Sequence, residues 1–214
     1  MPKNTLSVAE TKEMFLYIAE KIIDSKDQLT EADKKIGDGD HGVNMARGFE
    51  AVHDKLSIKD YDSIGDLIND IGMTILTSVG GAAGAIFGTW FRSGAKNLID
   101  KTEFDTEALI FLLSDGLKAI KKRGKVHLGD KTLVDALEPA SEKAKELREE
   151  SLNIVIKETV KSAREGKEQT KEMVAKLGKA KSLGERSLGF ADPGAISTYL
   201  ILYFMEIFVN NELN

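Results

Sequence analysis

The chain contains no cysteine and only three prolines among its 214 residues. Without cysteine it can form no disulfide bond and no zinc thiolate site, and it has no thiol nucleophile. Its most apolar stretch, residues 195–209, is shorter than the roughly 20 residues that a membrane-spanning helix needs. The formal net charge of -5 argues against a general nucleic-acid-binding protein, because phosphate backbones require clustered Lys and Arg. These absences exclude several common classes of site and partner.

The remaining composition is typical of a folded globular protein, with 42% hydrophobic and 30% charged residues. A chain of this length is most simply one domain, residues 1–214, that buries roughly 70% of its unfolded surface. The N-terminal sequence Met-Pro-Lys-Asn-Thr lacks the apolar core of a signal peptide. We therefore expect a single cytoplasmic domain.

Hydrophobic residues recur at helical spacing through most of the chain, and no stretch shows convincing strand alternation. The pattern predicts about eight helical segments, among them residues 7–23, 43–56, 64–76, 106–122, 132–140, 152–177 and 195–209. The last of these is apolar nearly all round, which predicts the central buried helix of the fold. The expected fold is an all-α bundle or closed barrel.

The most unusual stretch is the acidic, glycine-rich loop at residues 33–42. It places Asp33, Asp38 and Asp40 within eight residues. Two carboxylates about 4 Å apart repel by roughly 4 kcal/mol at an effective dielectric constant near 20. A folded cluster of three must therefore protonate, move apart or bind a cation. The glycines between and after them allow the sharp turns that would bring the side chains together.

Two interpretations of this loop follow from its residues. Asp and Gly are ordinary turn residues, so the loop could be a solvated acidic turn. The alternative is a site for a hard metal ion. An EF-hand is excluded, because the register that starts at Asp38 puts Val43 where the invariant glycine belongs. With carboxylates alone and so short a loop, Mg²⁺ completed by water and phosphate oxygens is the metal that fits best.

A second glycine-rich stretch, residues 78–88, precedes a helical pattern. Uncovered N–H groups at a helix start bind anions, and glycines leave room for them. Small residues also let two helices approach closely, and taken by itself the pattern favours this packing role over an anion site. Further along, residues 178–190 form a polar, glycine-bearing loop that we interpret as a flap. Asp192 and Pro193 then follow as N-cap and first helical residue of the last helix.

Several blocks in the same order resemble one family over almost the whole chain. The blocks are residues 36–42 with 44–49, residues 72–82, residues 129–132, and residues 183–187 with 192–194. They are similar to the ADP-binding L subunits of phosphotransferase-system-dependent dihydroxyacetone kinases. The resemblance implies a closed barrel of eight antiparallel helices with the nucleotide at one end.

The resemblance also implies a site. In that family three aspartates, here Asp33, Asp38 and Asp40, hold two Mg²⁺ ions against the phosphates of ADP or ATP. The positions that match nucleotide-binding residues are His41, Gly42, Val43, Asn44, Ala82, Ala83, Gly124, Leu133, Lys179, Asp192, Pro193 and Gly194. We name no general base, because phosphoryl transfer requires positioning and charge neutralisation more than covalent chemistry. Family members often have Ser, Met and Arg where this chain has Ala83, Leu133 and Lys179.

By the same resemblance the chain is one part of an enzyme. Dihydroxyacetone would bind to a separate K subunit, and a phosphohistidine protein, the M subunit of the phosphotransferase system, would rephosphorylate bound ADP in place. The chain could also form a homodimer, which the sequence does not decide. Two alternatives stay open as well: a kinase subunit that exchanges ATP and acts on another small ketose or a fatty acid, and a non-catalytic helical module that binds a nucleotide or lipid.

Overall fold

The computed structural model describes residues 4–213, which fold mainly into helices. The α-helices are α1 (Val8–Asp24), α2 (Lys26–Lys34), α3 (His41–Ile58), α4 (Ile64–Ser78), α5 (Gly81–Gly94), α6 (Thr106–Gly124), α7 (Val134–Glu146), α8 (Leu152–Gln169) and α9 (Pro193–Leu213). Short 3₁₀ helices span Lys96–Leu98, Thr170–Glu172 and Lys179–Ser187. Two-residue strands, β1 (Leu6–Ser7) and β2 (Glu103–Phe104), pair antiparallel. The prediction of a mostly helical fold is confirmed.

Helix starts follow local capping chemistry. The Ser7 side chain accepts a hydrogen bond from the Glu10 backbone N–H, and the Glu10 carboxylate accepts one from the Ser7 N–H at 2.9 Å. These two bonds form a capping box that satisfies otherwise unpaired donors at the start of α1. At α4, the Ser63 side chain accepts a hydrogen bond from Asp66 N at 3.1 Å.

Neighbours along the chain also pack together in space. From α3 to α9 each helix packs against the next, α1 packs against both α3 and α9, and α2 lies against α3 and α9. One connected hydrophobic core joins them, with Trp90 and Phe15 among its fully buried side chains. The indole N–H of Trp90 donates to Leu112 O at 3.1 Å, so the largest core side chain has its polar atom paired.

Three predictions about helices were wrong in detail. Helix α2 was missed, because Leu29 is its only buried apolar residue and one residue gives no periodicity. The helix predicted over 152–177 ends at Gln169, where the chain turns into a 3₁₀ helix. Helix α9 packs against α1, α2, α7 and α8, but Tyr203 is 37% exposed, so the helix is not buried on all sides. Within residues 4–213, no helix combines the length and apolar character needed to cross a membrane.

Candidate functional site

Loops and helix starts from distant parts of the sequence surround one cavity of about 270 Å³. The segments are the acidic loop, the start of α5, the loop before α7, the flap (residues 178–190) and the start of α9. The lining residues are Asp33, Ile36, Gly37, Asp38, Asp40, His41, Asn44, Gly80, Gly81, Ala82, Ala83, Ile86, Phe87, Lys131, Thr132, Leu133, Leu177, Gly178, Lys179, Ala180, Asp192, Pro193 and Gly194. The fold therefore brings both glycine-rich stretches and the flap to one place.

The three aspartates meet at this cavity. One carboxylate oxygen from each of Asp33, Asp38 and Asp40 lies within 4.8 Å of the other two. Asp33, near the end of α2, is buried, and its Oδ2 accepts a hydrogen bond from His41 N at 3.2 Å. A Cβ on Gly37 would lie 2.0 Å from Asp33 Oδ1, so any larger residue there would displace the Asp33 carboxylate. A set of carboxylate oxygens with two exposed members suits Mg²⁺, which keeps part of its water shell and binds phosphate oxygens.

Lys179 lies over the same carboxylates. Its Nζ forms an ion pair with Asp38 and contacts Asp40 Oδ2 at 3.3 Å. The hydrogen bond from Lys179 lowers the pKa of Asp38, and the same contact raises the pKa of Lys179. The flap thus brings a positive charge to the point where the negative charge of the loop is most concentrated.

The glycine-rich stretch at the start of α5 has the geometry for close helix packing and also leaves a helix start uncovered. A Cβ on Gly84 would lie 2.1 Å from Val79 O, and one on Gly88 would lie 2.8 Å from Leu76 Cβ, so these glycines permit close packing. Gly80 and Gly81 instead line the cavity. Among the described residues no side chain caps this helix start, so its first N–H groups are free to bind an anion.

His41 links the start of α3 to the start of α9. Its Nε2 lies 2.8 Å from the Oγ of the buried Ser197 in α9. Burial lowers the pKa of His41, so the imidazole is neutral at neutral pH and acts as a hydrogen-bonding group rather than as a cation. Beside it, Asn44 Oδ1 accepts a hydrogen bond from Arg47 Nη2 at 2.9 Å, which fixes the amide.

Three residues that the family resemblance pointed to do not line the cavity. Gly42 is buried against α2, where an added Cβ would lie 2.2 Å from Lys26 O. Val43 is 46% exposed on α3. Gly124 ends α6, and a Cβ added there would lie 3.8 Å from Cδ1 of the cavity residue Ile86. The other predicted residues, Asp33, Asp38, Asp40, His41, Asn44, Ala82, Ala83, Leu133, Lys179, Asp192, Pro193 and Gly194, all line it.

Sequence reasoning missed two polar residues of the site, Lys131 and Thr132. The loop that carries them is held by Asp135, whose carboxylate accepts hydrogen bonds from Gly129 N at 2.5 Å and Thr132 N at 2.7 Å. The signal for this loop was the run Gly129-Asp130-Lys131-Thr132 directly before a helix. A lysine in such a run looks solvated, since the sequence does not show that its side chain turns inward.

Asp192 gives the site a pH-dependent stability. Its Oδ2 accepts a hydrogen bond from Ala195 N at 2.8 Å, but desolvation raises the pKa of Asp192 to about 7. Between its ordinary pKa of 3.8 and about 7, the folded protein therefore binds more protons than the unfolded chain. The contribution of this group to the free energy of unfolding is largest below pH 4 and decreases as the pH rises towards 7.

We therefore expect Asp192→Asn to be more stable relative to wild type at pH 7.5 than at pH 5. Urea unfolding of both proteins across this range, without nucleotide, measures the difference. Asp135 is present in both proteins, and its charge also raises the pKa of Asp192, so the loss of this repulsion in Asp192→Asn acts in the same direction. If the free energy of unfolding of the two proteins changed equally between pH 5 and pH 7.5, the prediction would be contradicted.

The fold and the cavity define a class of protein: a mostly helical protein in which a carboxylate cluster faces an uncovered helix start. Comparison with known families is more specific. The model of the DAK2 domain matches residues 35–206. The chain belongs to the DAK2 domain family.

Individual relatives agree with this assignment. The ADP-binding subunit DhaL of the PEP-dependent dihydroxyacetone kinase of Escherichia coli K12 is 41% identical, over 84% of this chain and 86% of its own length. The corresponding subunit of dihydroxyacetone kinase 1 from Listeria innocua is 38% identical, over 87% of this chain and 89% of its own.

A solved structure has the same fold. The dihydroxyacetone kinase of C. freundii, crystallised with AMP-PNP and Mg²⁺, matches with a TM-score of 0.73 and 22% identity over 97% of this chain. Our chain spans about a third of that protein, 34% of its length. The similarity to that kinase establishes the fold of the domain.

Proposed function

We propose that this chain is the nucleotide-binding subunit of a dihydroxyacetone kinase. It would hold Mg-ADP or Mg-ATP and pass the γ-phosphoryl group to dihydroxyacetone on a separate K subunit, with a phosphohistidine protein of the phosphotransferase system restoring ATP in place. The observation that carries the proposal is the convergence of Asp33, Asp38 and Asp40 with the start of α5 on one cavity, in a chain 38–41% identical to ADP-binding subunits of such kinases.

Each part of the cavity has a role in this proposal. The three aspartates would hold two Mg²⁺ ions, which neutralise phosphate charge when bound. The N–H groups at the start of α5, around Ala82 and Ala83, would donate to phosphate oxygens. Lys179 adds a flexible positive charge from the flap, without the two-pronged geometry that an arginine would give.

The nucleoside end of the ligand has an apolar surface to contact. Ile86, Phe87, Leu133 and Leu177 line the cavity together. An apolar wall with a few polar groups is typical of cofactor sites. We assign no general base, and the chain provides binding, orientation and charge neutralisation.

We extend the proposal to the architecture and setting of the subunit. The packing order of α1 and α3 to α9 supports a closed barrel of eight antiparallel helices in a single domain, with α2 outside the ring. The site lies at one end of it, where a K subunit would present dihydroxyacetone. We place the protein in the cytoplasm, since both relatives are PEP-dependent kinase subunits.

The nucleotide content of the purified protein tests this function. We expect about one ADP per chain by mass spectrometry after extensive dialysis with Mg²⁺, because a nucleotide rephosphorylated in place must stay bound. An empty protein that binds ATP reversibly would instead support a kinase subunit that exchanges ATP. A protein that binds no nucleotide at all would overturn the assignment.

A further inference from the structure

Lys131 is a buried lysine for which the proposed reaction has no use. Its side chain is 2% exposed, and its Nζ donates to four backbone carbonyl oxygens. The acceptors are Thr170 O at 2.7 Å, Met173 O at 3.1 Å, Ser187 O at 2.6 Å and Phe190 O at 2.7 Å. An ammonium group has three protons, so at least one of them is shared between two carbonyls. The charge is thus surrounded by peptide dipoles instead of water.

The positions of the four carbonyls define what the ammonium joins. Thr170 and Met173 lie in the segment that precedes the flap, whereas Ser187 and Phe190 lie at the end of the flap. Two hydrogen bonds from backbone N–H groups join the same two segments. Ala175 N donates to Ser187 Oγ at 3.0 Å, and Gly189 N donates to Lys171 O at 2.7 Å. One side chain therefore fastens together the two ends of the loop that carries Lys179.

The local backbone is shaped to send this side chain inward. Lys131 has a φ of 61°, in the left-handed region that non-glycine residues seldom adopt. Residues 129 and 132 are held on either side of it by the Asp135 carboxylate. Burying an ammonium is costly unless every proton is hydrogen-bonded, and burial lowers the pKa of Lys131 accordingly. A strained residue with a buried charge persists only where the surrounding structure strongly favours it.

We propose that Lys131 is a positioning residue of the nucleotide site: its ammonium fastens both ends of the flap, which holds Lys179 over Asp38 and Asp40. This inference rests on the proposed function and assigns a residue to that same site. The segment that Lys131 binds also contacts the start of α9, because Thr170 Oγ1 accepts a hydrogen bond from Asp192 N at 2.9 Å. Loss of the ammonium should loosen the flap and speed the release of nucleotide.

The absence of native cysteine permits a direct test of the ammonium group. In Lys131→Cys the single thiol can be alkylated with 2-bromoethylamine in denaturant, and refolding then restores an amine at nearly the length of lysine. The matched control is Lys101→Cys with the same treatment. Lys101 forms ion pairs with Asp105 and Glu107 at the start of α6, outside the cavity.

Two readouts are compared before and after alkylation: hydrogen exchange of amides 174–190 and the dissociation rate of ADP. We expect both to be roughly tenfold faster in Lys131→Cys, which corresponds to about 1.4 kcal/mol, and both to return towards wild type after alkylation. The Lys101→Cys control should change neither. Unchanged flap exchange, equally faster exchange in every helix, or no recovery after alkylation would overturn the inference.

A second measurement needs no variant. It tests whether the two ends of the flap open together, even if Lys131→Cys fails to refold. In native-state hydrogen exchange of the wild type, the amides of Ala175 and Gly189 should open with one common free energy, lower than that of amides in α4. Different opening energies at the two positions would overturn the inference. If the wild type binds no nucleotide, the proposed function fails, but flap exchange still tests the role of Lys131.

Discussion

The double variant Asp38→Asn/Asp40→Asn is expected to lose kinase activity by roughly 1,000-fold or more when assayed with a K subunit, which is a loss of about 4 kcal/mol in transition-state stabilisation. The two amides keep the size of the side chains but remove both negative charges. Mg²⁺ binds carboxylate oxygens far better than neutral amides, and Asp33 alone cannot replace them. Without the metal, phosphate charge in the cavity would face the remaining carboxylate unneutralised.

Thermal unfolding separates loss of metal binding from loss of folding. Without ligand the double variant should unfold at a temperature close to that of the wild type, because both side chains are more than half exposed. Addition of Mg²⁺ and ADP should stabilise the wild type by about 2.7 kcal/mol at 100 times the dissociation constant, and the variant hardly at all. The kinase rate with the K subunit and the increase in unfolding temperature on adding Mg²⁺ and ADP are the two quantities to compare between variant and wild type.

A control with the same change in net charge is available at Asp54 and Asp62, which are exposed and lie outside the cavity. Asp54→Asn/Asp62→Asn should keep both the activity and the stabilisation by Mg²⁺ and ADP. Retained activity in Asp38→Asn/Asp40→Asn would refute the metal assignment. An equal loss in the control variant would instead point to a general electrostatic effect.

Local chemistry explains why the acidic loop could be recognised from the sequence as a candidate site, whereas the other cavity residues were indicated only by the family resemblance. Three aspartates close together in a glycine-containing loop repel one another in any fold that brings them together. This repulsion limits the loop to a few roles, of which cation binding is one. Helices with several apolar residues per turn, such as α4 and α6, were equally clear. By contrast α2 buries little apolar surface, and its position depends on contacts with α3 and α9 that no local pattern records.

The features that the sequence did not predict, such as the role of Lys131 and the position of α9, depend on tertiary contacts. Lys131 resembles any surface lysine until the carbonyls of the flap region surround it. Helix α9 is apolar on all sides, which suggested a central position, yet its Tyr203 face is directed to solvent and its neighbours lie on the other sides. Hydrophobicity alone does not distinguish a helix inside a bundle from an apolar helix at its edge.

Gly42 illustrates the same limit, and its substitution has the second large expected effect. A Cβ at this position would lie 2.2 Å from Lys26 O and 2.3 Å from Thr30 Oγ1, so α3 could not keep its distance from α2. Backbone atoms cannot move aside as a flexible side chain can. We expect Gly42→Ala to lower the free energy of unfolding by about 3 kcal/mol, at the upper end of the usual range for overpacking.

The displacement should also disturb the proposed metal site, since Asp33 belongs to α2 and the His41 N–H that donates to its carboxylate at 3.2 Å belongs to α3. Urea unfolding measures the stability, and titration with Mg²⁺ and ADP measures the affinity, which should fall at least about tenfold if the two helices shift by an ångström. Gly124→Ala is the stability control. Its Cβ would meet Val126 Cγ1 at 3.4 Å, an ordinary contact, and its unfolding free energy should stay within about 0.5 kcal/mol of the wild type. Equal stabilities for the two alanine variants would show that close approach of α2 and α3 is not what requires glycine at position 42.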